Sequence, residues 1–149
     1  HLMVQPVDAL AAAFAEDPAL CWIIAGQSGM ERRLTHFFNS NVRGSIAHGY
    51  ALRSAGDEAV TLWRVPGALH AGMFESLISF PNMLRSLGFG LNRGLLIAKS
   101  LHHHAPKHGQ YHYLQFAGVA PAHQSKGWGG AAIRAGLDRA RESGLPVYL

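Results

Sequence analysis

From Tyr111 to Leu149 the chain reads as an apolar strand, a glycine-rich turn, an amphipathic helix and the start of a second strand. No other stretch constrains the fold as much. Tyr111 to Val119 is rich in aromatic and β-branched residues, as a buried strand is. Pro121 ends it, because proline lacks an N–H and holds Ala120 in the extended region. After His123 come Gln124-Ser125-Lys126-Gly127-Trp128-Gly129-Gly130, and then a helix. Ala132, Ile133, Gly136, Leu137 and Ala140 line one face of that helix. Arg134, Asp138, Arg141 and Glu142 line the other, with Arg134/Asp138 and Asp138/Arg141 at pairing distance. Gly144 and Pro146 stop it.

A turn of this kind at a helix start has a physical use. Glycines remove the Cβ atoms that keep a phosphate from the backbone, and they permit φ > 0. The first-turn N–H groups have no helical acceptor and sit at the positive end of the macrodipole. Together they make an anion site suited to a pyrophosphate, and Lys126 adds a formal charge nearby. A P-loop is excluded, since no Gly-Lys-Ser/Thr occurs. For a dinucleotide fingerprint the position after Gly127 and Gly129 is Ala132, which the looser form allows. That fingerprint also wants an acidic residue about 20 residues further on, and the sequence given reaches Leu149 before it.

The segment resembles the coenzyme A motif of the GCN5-related N-acetyltransferases: strand, Val-x-Pro, a short turn, Gln/Arg-x-x-Gly-x-Gly/Ala, then helix. It stands here as Val119-Ala120-Pro121 and Gln124-Ser125-Lys126-Gly127-Trp128-Gly129. The bland alternative is a glycine turn that only packs a helix on a sheet. Softer similarities to one bacterial branch of that family are Ala13-Phe14 followed by Asp17-Pro18, Trp63 with Pro66-Gly67, and His112-Tyr113-Leu114. The resemblance implies an α/β fold with a mixed, mostly antiparallel sheet flanked by helices. It implies acetyl-CoA as co-substrate, no metal, and a small-molecule or peptide amine as acceptor. Its pyrophosphate would lie on Gln124, Ser125, Lys126, Gly127, Trp128, Gly129 and Gly130. Its pantetheine arm would pair with main-chain groups of Phe116, Ala117 and Val119. Many members use a glutamate near the central strand, which this strand lacks, leaving His112 and Gln115 as its polar candidates for catalysis.

The remainder of the chain fits one domain of 149 residues, with 48% hydrophobic and 15% charged content. Val7 to Ala15 reads as a short helix broken by Asp17-Pro18, and Leu20 to Ile24 as an apolar segment that extends or packs as a turn. Met30 to Ala47 is an amphipathic helix with Leu34, Phe37, Phe38, Asn41, Val42 and Ile46 at helical spacing. Gly49 to Ser54 and Ala59 to Val65 alternate like a hairpin around Ala55-Gly56-Asp57-Glu58. Ala71 to Ile78 and Asn82 to His102 read as helices separated by Pro81. His102, His103, His104, His108 and His112 invite a metal reading, but consecutive histidines in a helix diverge and no cysteine or carboxylate lies nearby. The net charge of +4 comes from scattered lysine and arginine, which fits a solvated surface and a polyanionic cofactor better than nucleic acid.

Cys21 is the lone cysteine, so no internal disulfide forms, in keeping with a cytoplasmic location. The apolar run Ala9 to Ala15 is too short to span a bilayer. His1-Leu2-Met3 reads as a tag remnant, with residues 4–149 as the domain. Against the family pattern the first strand is absent or reduced to Met3-Val4-Gln5. The last helix, with its thiolate-protonating tyrosine, and the final hairpin are not among these residues. The expectation is therefore a C-terminally incomplete chain with an open sheet edge that a homodimer could cover. Two other functions compete: a non-catalytic acyl-CoA-binding or sensor module, and a basic nucleic-acid-binding domain, which lacks any recognisable binding signature.

Overall fold

The structure, a computed structural model, describes residues 4–69 and 73–149. The tag reading of His1-Leu2-Met3 and the expected helix start at Ala71 lie outside the described residues. Among the described residues four strands form one sheet in the order β1 (Gly49–Arg53), β2 (Ala59–Arg64), β3 (His112–Val119) and β4 (Val147–Tyr148). The first three are antiparallel, and β3 and β4 are parallel, with His112 opposite Val147 and Tyr113 opposite Tyr148. This is the mixed, mostly antiparallel sheet that the sequence leads one to expect.

Every residue of β2 is buried, because helices cover both of its faces. Val60 and Leu62 turn toward α1 (Val4–Ala13) and α3 (Met30–His48), where they join Leu10, Leu34, Phe38 and Val42. Each fully buried aliphatic or aromatic side chain contributes roughly 1.5–3 kcal/mol. Trp63 turns the other way, toward α6 (Trp128–Arg141), with its ring against Gly136 and its Nε1–H donating to Thr61 Oγ1 at 2.8 Å. Tyr50, opposite Trp63 in the ladder, stacks on it with ring centroids 5.7 Å apart. Ile46, expected on the apolar stripe of α3, is on its exposed side.

Val4 and Gln5 open α1, so of the two readings of the first strand, absent or reduced to Met3-Val4-Gln5, the described residues favour the first. Two helical expectations need correction. Pro18–Ile24 is a helix, α2, because Asp17-Pro18 is a start signal as well as a break: the Asp17 carboxylate accepts from Leu20 N–H at 3.0 Å and Pro18 sits in the first turn. Pro81 lies inside α4 (Met73–Leu87), and the chain breaks later, at the 3₁₀ turn Gly88–Gly90 before α5 (Leu91–His104). Tertiary bonds hold α4 through the proline. Asn82 Nδ2 donates to the His36 carbonyl and to Ser40 Oγ, and Ser86 Oγ donates to the Arg33 carbonyl at 2.8 Å. Gly90 is obligatory at the break, since a Cβ there would run into the Ile23 carbonyl.

One irregularity shapes the site. Leu62 pairs with Phe116 but Trp63 pairs with Leu114, so Gln115 is an extra residue in β3, a β-bulge. Without it, neighbours along a strand point to opposite faces. Here Gln115 and Phe116 both reach α3. Gln115 Nε2 donates to Asn41 Oδ1 at 3.3 Å, and the Phe116 ring meets Phe37 and Phe38 edge-on.

Candidate functional site

The glycine turn has the expected geometry. Gly127 caps α6 with φ +87°, a left-handed conformation that L side chains rarely adopt, and a Cβ there would project into open space. Ser125 also has positive φ, at 62°. The first bond back into the helix runs from Ala131 N–H to the Gly127 carbonyl at 3.1 Å. The N–H groups of Trp128, Gly129 and Gly130 precede it, so they are first-turn donors without an α-helical acceptor. A right-handed residue following a left-handed one makes a concave array of N–H groups that accepts an anion. Gln124, Ser125, Lys126, Gly127 and Gly130 are exposed around it, and Trp128 is 36% exposed.

This turn is joined to the end of β3. Gln124 Nε2 donates to the Val119 carbonyl at 3.1 Å, and Gly129 is close enough that a Cβ would touch Val119 Cγ2 at 3.3 Å. In an antiparallel ladder, main-chain groups face the partner at every second residue. Ala120 N–H donates to the Glu58 carbonyl at 2.8 Å, which sets the phase. Gly118 and Phe116 then face β2, while Ala117 and Val119 turn their N–H and C=O groups outward. Beyond Tyr113 no strand among the described residues pairs with that outer edge. Phe116 is thus corrected from the expected set: its main chain serves the sheet and its ring serves the core.

His112 and Gln115, the two polar candidates, are not brought together. His112 lies on the α6 face, 7% exposed, with Nε2 2.8 Å from Ser143 Oγ and its ring near Tyr50. Gln115 lies on the opposite face. His112 is built into the packing between β3 and the end of α6 and does not line the cavity described below. Burial holds its imidazole below the ordinary range. The unfolded chain takes up a proton that the folded imidazole resists, so stability is full above the ordinary histidine value of about 6.5 and falls as the pH drops below it. Thermal unfolding from pH 7.5 downward should therefore show a steeper loss for the native chain than for His112→Gln. Equal slopes would contradict this.

His102, His103 and His104 occupy the last turn of α5, and among the described residues no group of three or more His, Cys, Asp or Glu is placed to hold an ion.

Gln115 opens onto a cavity of about 340 Å³ between β3, α4 and α5, at the small end of the roughly 300–1,000 Å³ that small-molecule sites span. Three tyrosines line it: Tyr111, Tyr113 and Tyr148. Tyr113 and Tyr148 stack at 5.6 Å, and Tyr111 meets Tyr148 edge-on at 5.9 Å. Burial, and then the neighbouring phenols, push Tyr113 above its ordinary value, so it stays protonated. Arg64, only 3% exposed, grips Glu75 with both terminal nitrogens, Nη2 to Oε1 at 2.7 Å and Nη1 to Oε2 at 3.1 Å. Hydrogen bonding from Arg64 outweighs desolvation and holds the Glu75 carboxyl below its usual range.

Of the cavity residues, Gln115 was singled out from the sequence as a candidate, but Arg64, Glu75 and the tyrosines were not given a part in a site. One signal was there. A charged Arg64 inside the apolar run Ala59 to Val65 requires a buried partner. The tyrosines carried no such mark.

No family model matches the chain. Its fold is that of a crystal structure described as histone acetyltransferase HPA2 and related acetyltransferase, from Corynebacterium glutamicum, with a TM-score of 0.66 and 22% sequence identity. The likeness covers 93% of this chain and 66% of that one, so this chain spans just under two thirds of that protein's length. The chain therefore has the fold of the GCN5-related N-acetyltransferases. Among the described residues, no helix is long and apolar enough to cross a membrane.

Proposed function

We propose that this chain is an acyl-CoA-dependent N-acyltransferase that moves an acetyl group from acetyl-CoA to a primary amine. The observation that carries the reading is continuity. An outward-facing main-chain edge at Ala117 and Val119 runs directly into a glycine turn whose first-turn N–H groups are open to an anion. An extended arm ending in a pyrophosphate fits that succession, and the two halves are fixed to each other through Gln124 and Val119. When bound, the cofactor supplies an activated acyl thioester.

The chain's own residues would do the rest. Main-chain groups of Ala117 and Val119 pair with the arm as a neighbouring strand would, so apolar side chains suffice there. Trp128, Gly129 and Gly130 donate N–H groups to the pyrophosphate, and Lys126 adds long-range attraction. Gln115 stands at the bulge, where the strand edge meets the cavity. A carboxamide is too weak a base to take a proton near neutral pH, so its part is to orient an amine. With His112 packed on the other face, amine deprotonation in water is expected to govern the rise of rate with pH.

The test is thiol release from acetyl-CoA across a panel of amines. Turnover that rises toward basic pH is expected, with only a modest loss in His112→Ala. Binding without turnover on any amine would leave an acyl-CoA-binding module. A loss of about a thousandfold in His112→Ala, within the roughly 10²–10⁴-fold that an acid–base group typically contributes, would restore that histidine as the base.

A further inference from the structure

The 3₁₀ turn between α4 and α5 presents a phenylalanine to solvent and holds it there. Phe89 is 98% exposed, yet its backbone is fixed from both sides. Gln27 Nε2 donates to the Leu87 carbonyl at 2.8 Å, and Gln27 Oε1 accepts from Phe89 N–H at 3.2 Å. Gly90 is pressed against the Ile23 carbonyl. The tip is therefore a built projection, and its ring contributes nothing to the core.

A single exposed apolar side chain is ordinary, but a group of them marks an interaction site. Phe80 and Leu84 are exposed on α4, Leu96 on α5 and Trp22 on α2. Arg93 joins Trp22 to α5, with its guanidinium 5.3 Å from the indole centroid and Nη1 donating to the Trp22 carbonyl at 2.9 Å. Phe89, Arg93 and Leu96 follow one another at i, i+4 and i+7, so they continue along one side of the arm. The opposite side of α5, with Ala98 and Leu101, lines the cavity.

The charge on this arm has one sign. From Ser76 to Leu137 the chain contains no Asp or Glu. Arg85 and Arg93 stand four residues before and after Phe89, Lys99 stands one turn beyond Leu96, and all three are exposed. A self-complementary contact between two copies would set these cations against each other. A ring exposed to this degree lies in no groove of its own protein, so it enters its partner. A partner that is anionic outside and apolar just beneath matches both features. Interfacial helices combine Lys and Arg with Trp, Phe and Leu in this way, sinking the apolar side roughly 5–10 Å into the headgroup boundary.

We propose that the α4–α5 arm docks this protein on an anionic lipid surface. Phe89 inserts as the wedge, and Arg85, Arg93 and Lys99 meet the headgroup phosphates. The proposal does not depend on the acyltransferase reading.

Co-sedimentation with vesicles tests it, using phosphatidylcholine alone and an equal mixture of phosphatidylcholine and phosphatidylglycerol. Binding to the mixed vesicles only, weakened by added salt, is expected. Phe89→Asp should lower the partition coefficient by about tenfold or more, the scale of one buried aromatic side chain. Lys99→Ala should lower it by about fivefold, the share of one basic residue near an anionic leaflet. Arg141→Ala makes the same charge change at the exposed end of α6, across the sheet, and should leave binding as it was. All three variants should keep native circular dichroism, because each position is exposed. Equal binding to neutral vesicles, binding to neither, or native binding in Phe89→Asp would overturn the proposal. So would a dimer in sedimentation velocity that Phe89→Asp dissolves, since the face would then belong to a second copy.

Discussion

Alanine at position 136 is expected to destabilise this protein by about 3 kcal/mol, at the upper end of what overpacking a core costs. Gly136 is buried where α6 crosses β2, and its missing side chain is the space that the Trp63 ring occupies. A Cβ there would fall inside the ring's van der Waals envelope, against Cζ2, Cε2 and Cη2, the last at 2.7 Å. The ring has no freedom to retreat. Trp63 is fully buried, stacked on Tyr50 and tied through Nε1 to Thr61. Relief would have to come from lifting α6 off the sheet, which would also move the glycine turn at its other end. For a chain of this size such a loss lowers the melting temperature by on the order of 10 °C. Ala135→Ser, one residue away and exposed, is the control and should stay within about 0.5 kcal/mol. A melting temperature for Gly136→Ala within a degree or two of the native value would show that the helix is not seated as described.

Valine at position 127 is expected to remove measurable CoA affinity while leaving most of the fold in place. The φ of +87° at Gly127 sets the direction in which the N–H groups of Trp128, Gly129 and Gly130 point. A β-branched residue resists that conformation at a cost of about 1–3 kcal/mol and shifts the turn to escape it. Its side chain would also enter the open space in front of the first-turn donors, where the pyrophosphate belongs. The strain is local, because nothing packs within 4 Å of that position. Circular dichroism should therefore look native, and calorimetry with CoA should be flat. Native CoA affinity in Gly127→Val would remove the turn from the site.

Local chemistry made half of this site legible in the sequence. The turn announces itself because Pro121, Gln124, Gly127 and Gly129 each act on their own backbone, and α6 follows from the spacing of Ala132, Ile133, Gly136, Leu137 and Ala140. What pairing decides could not be read. The bulge at Gln115 exists only in the register between β2 and β3, and it alone turns Gln115 and Phe116 to one face and leaves His112 on the other. The cavity is still less local, since its walls come from segments far apart in the chain. Pro81 misled for a related reason: its cost to α4 is real, but Asn82 and Ser86, in the turns that follow it, bond to α3 and hold the helix in place.

The central claim is that the outer edge of β3 and the start of α6 form one acyl-CoA site. Backbone amide NMR during a titration with CoA tests it most directly. The expected result is saturable shifts concentrated at the amides of Ala117, Val119, Trp128, Gly129 and Gly130, with the amides of β1 unmoved. Shifts confined to other surfaces, or none at concentrations well above those at which coenzymes are usually bound, would contradict it.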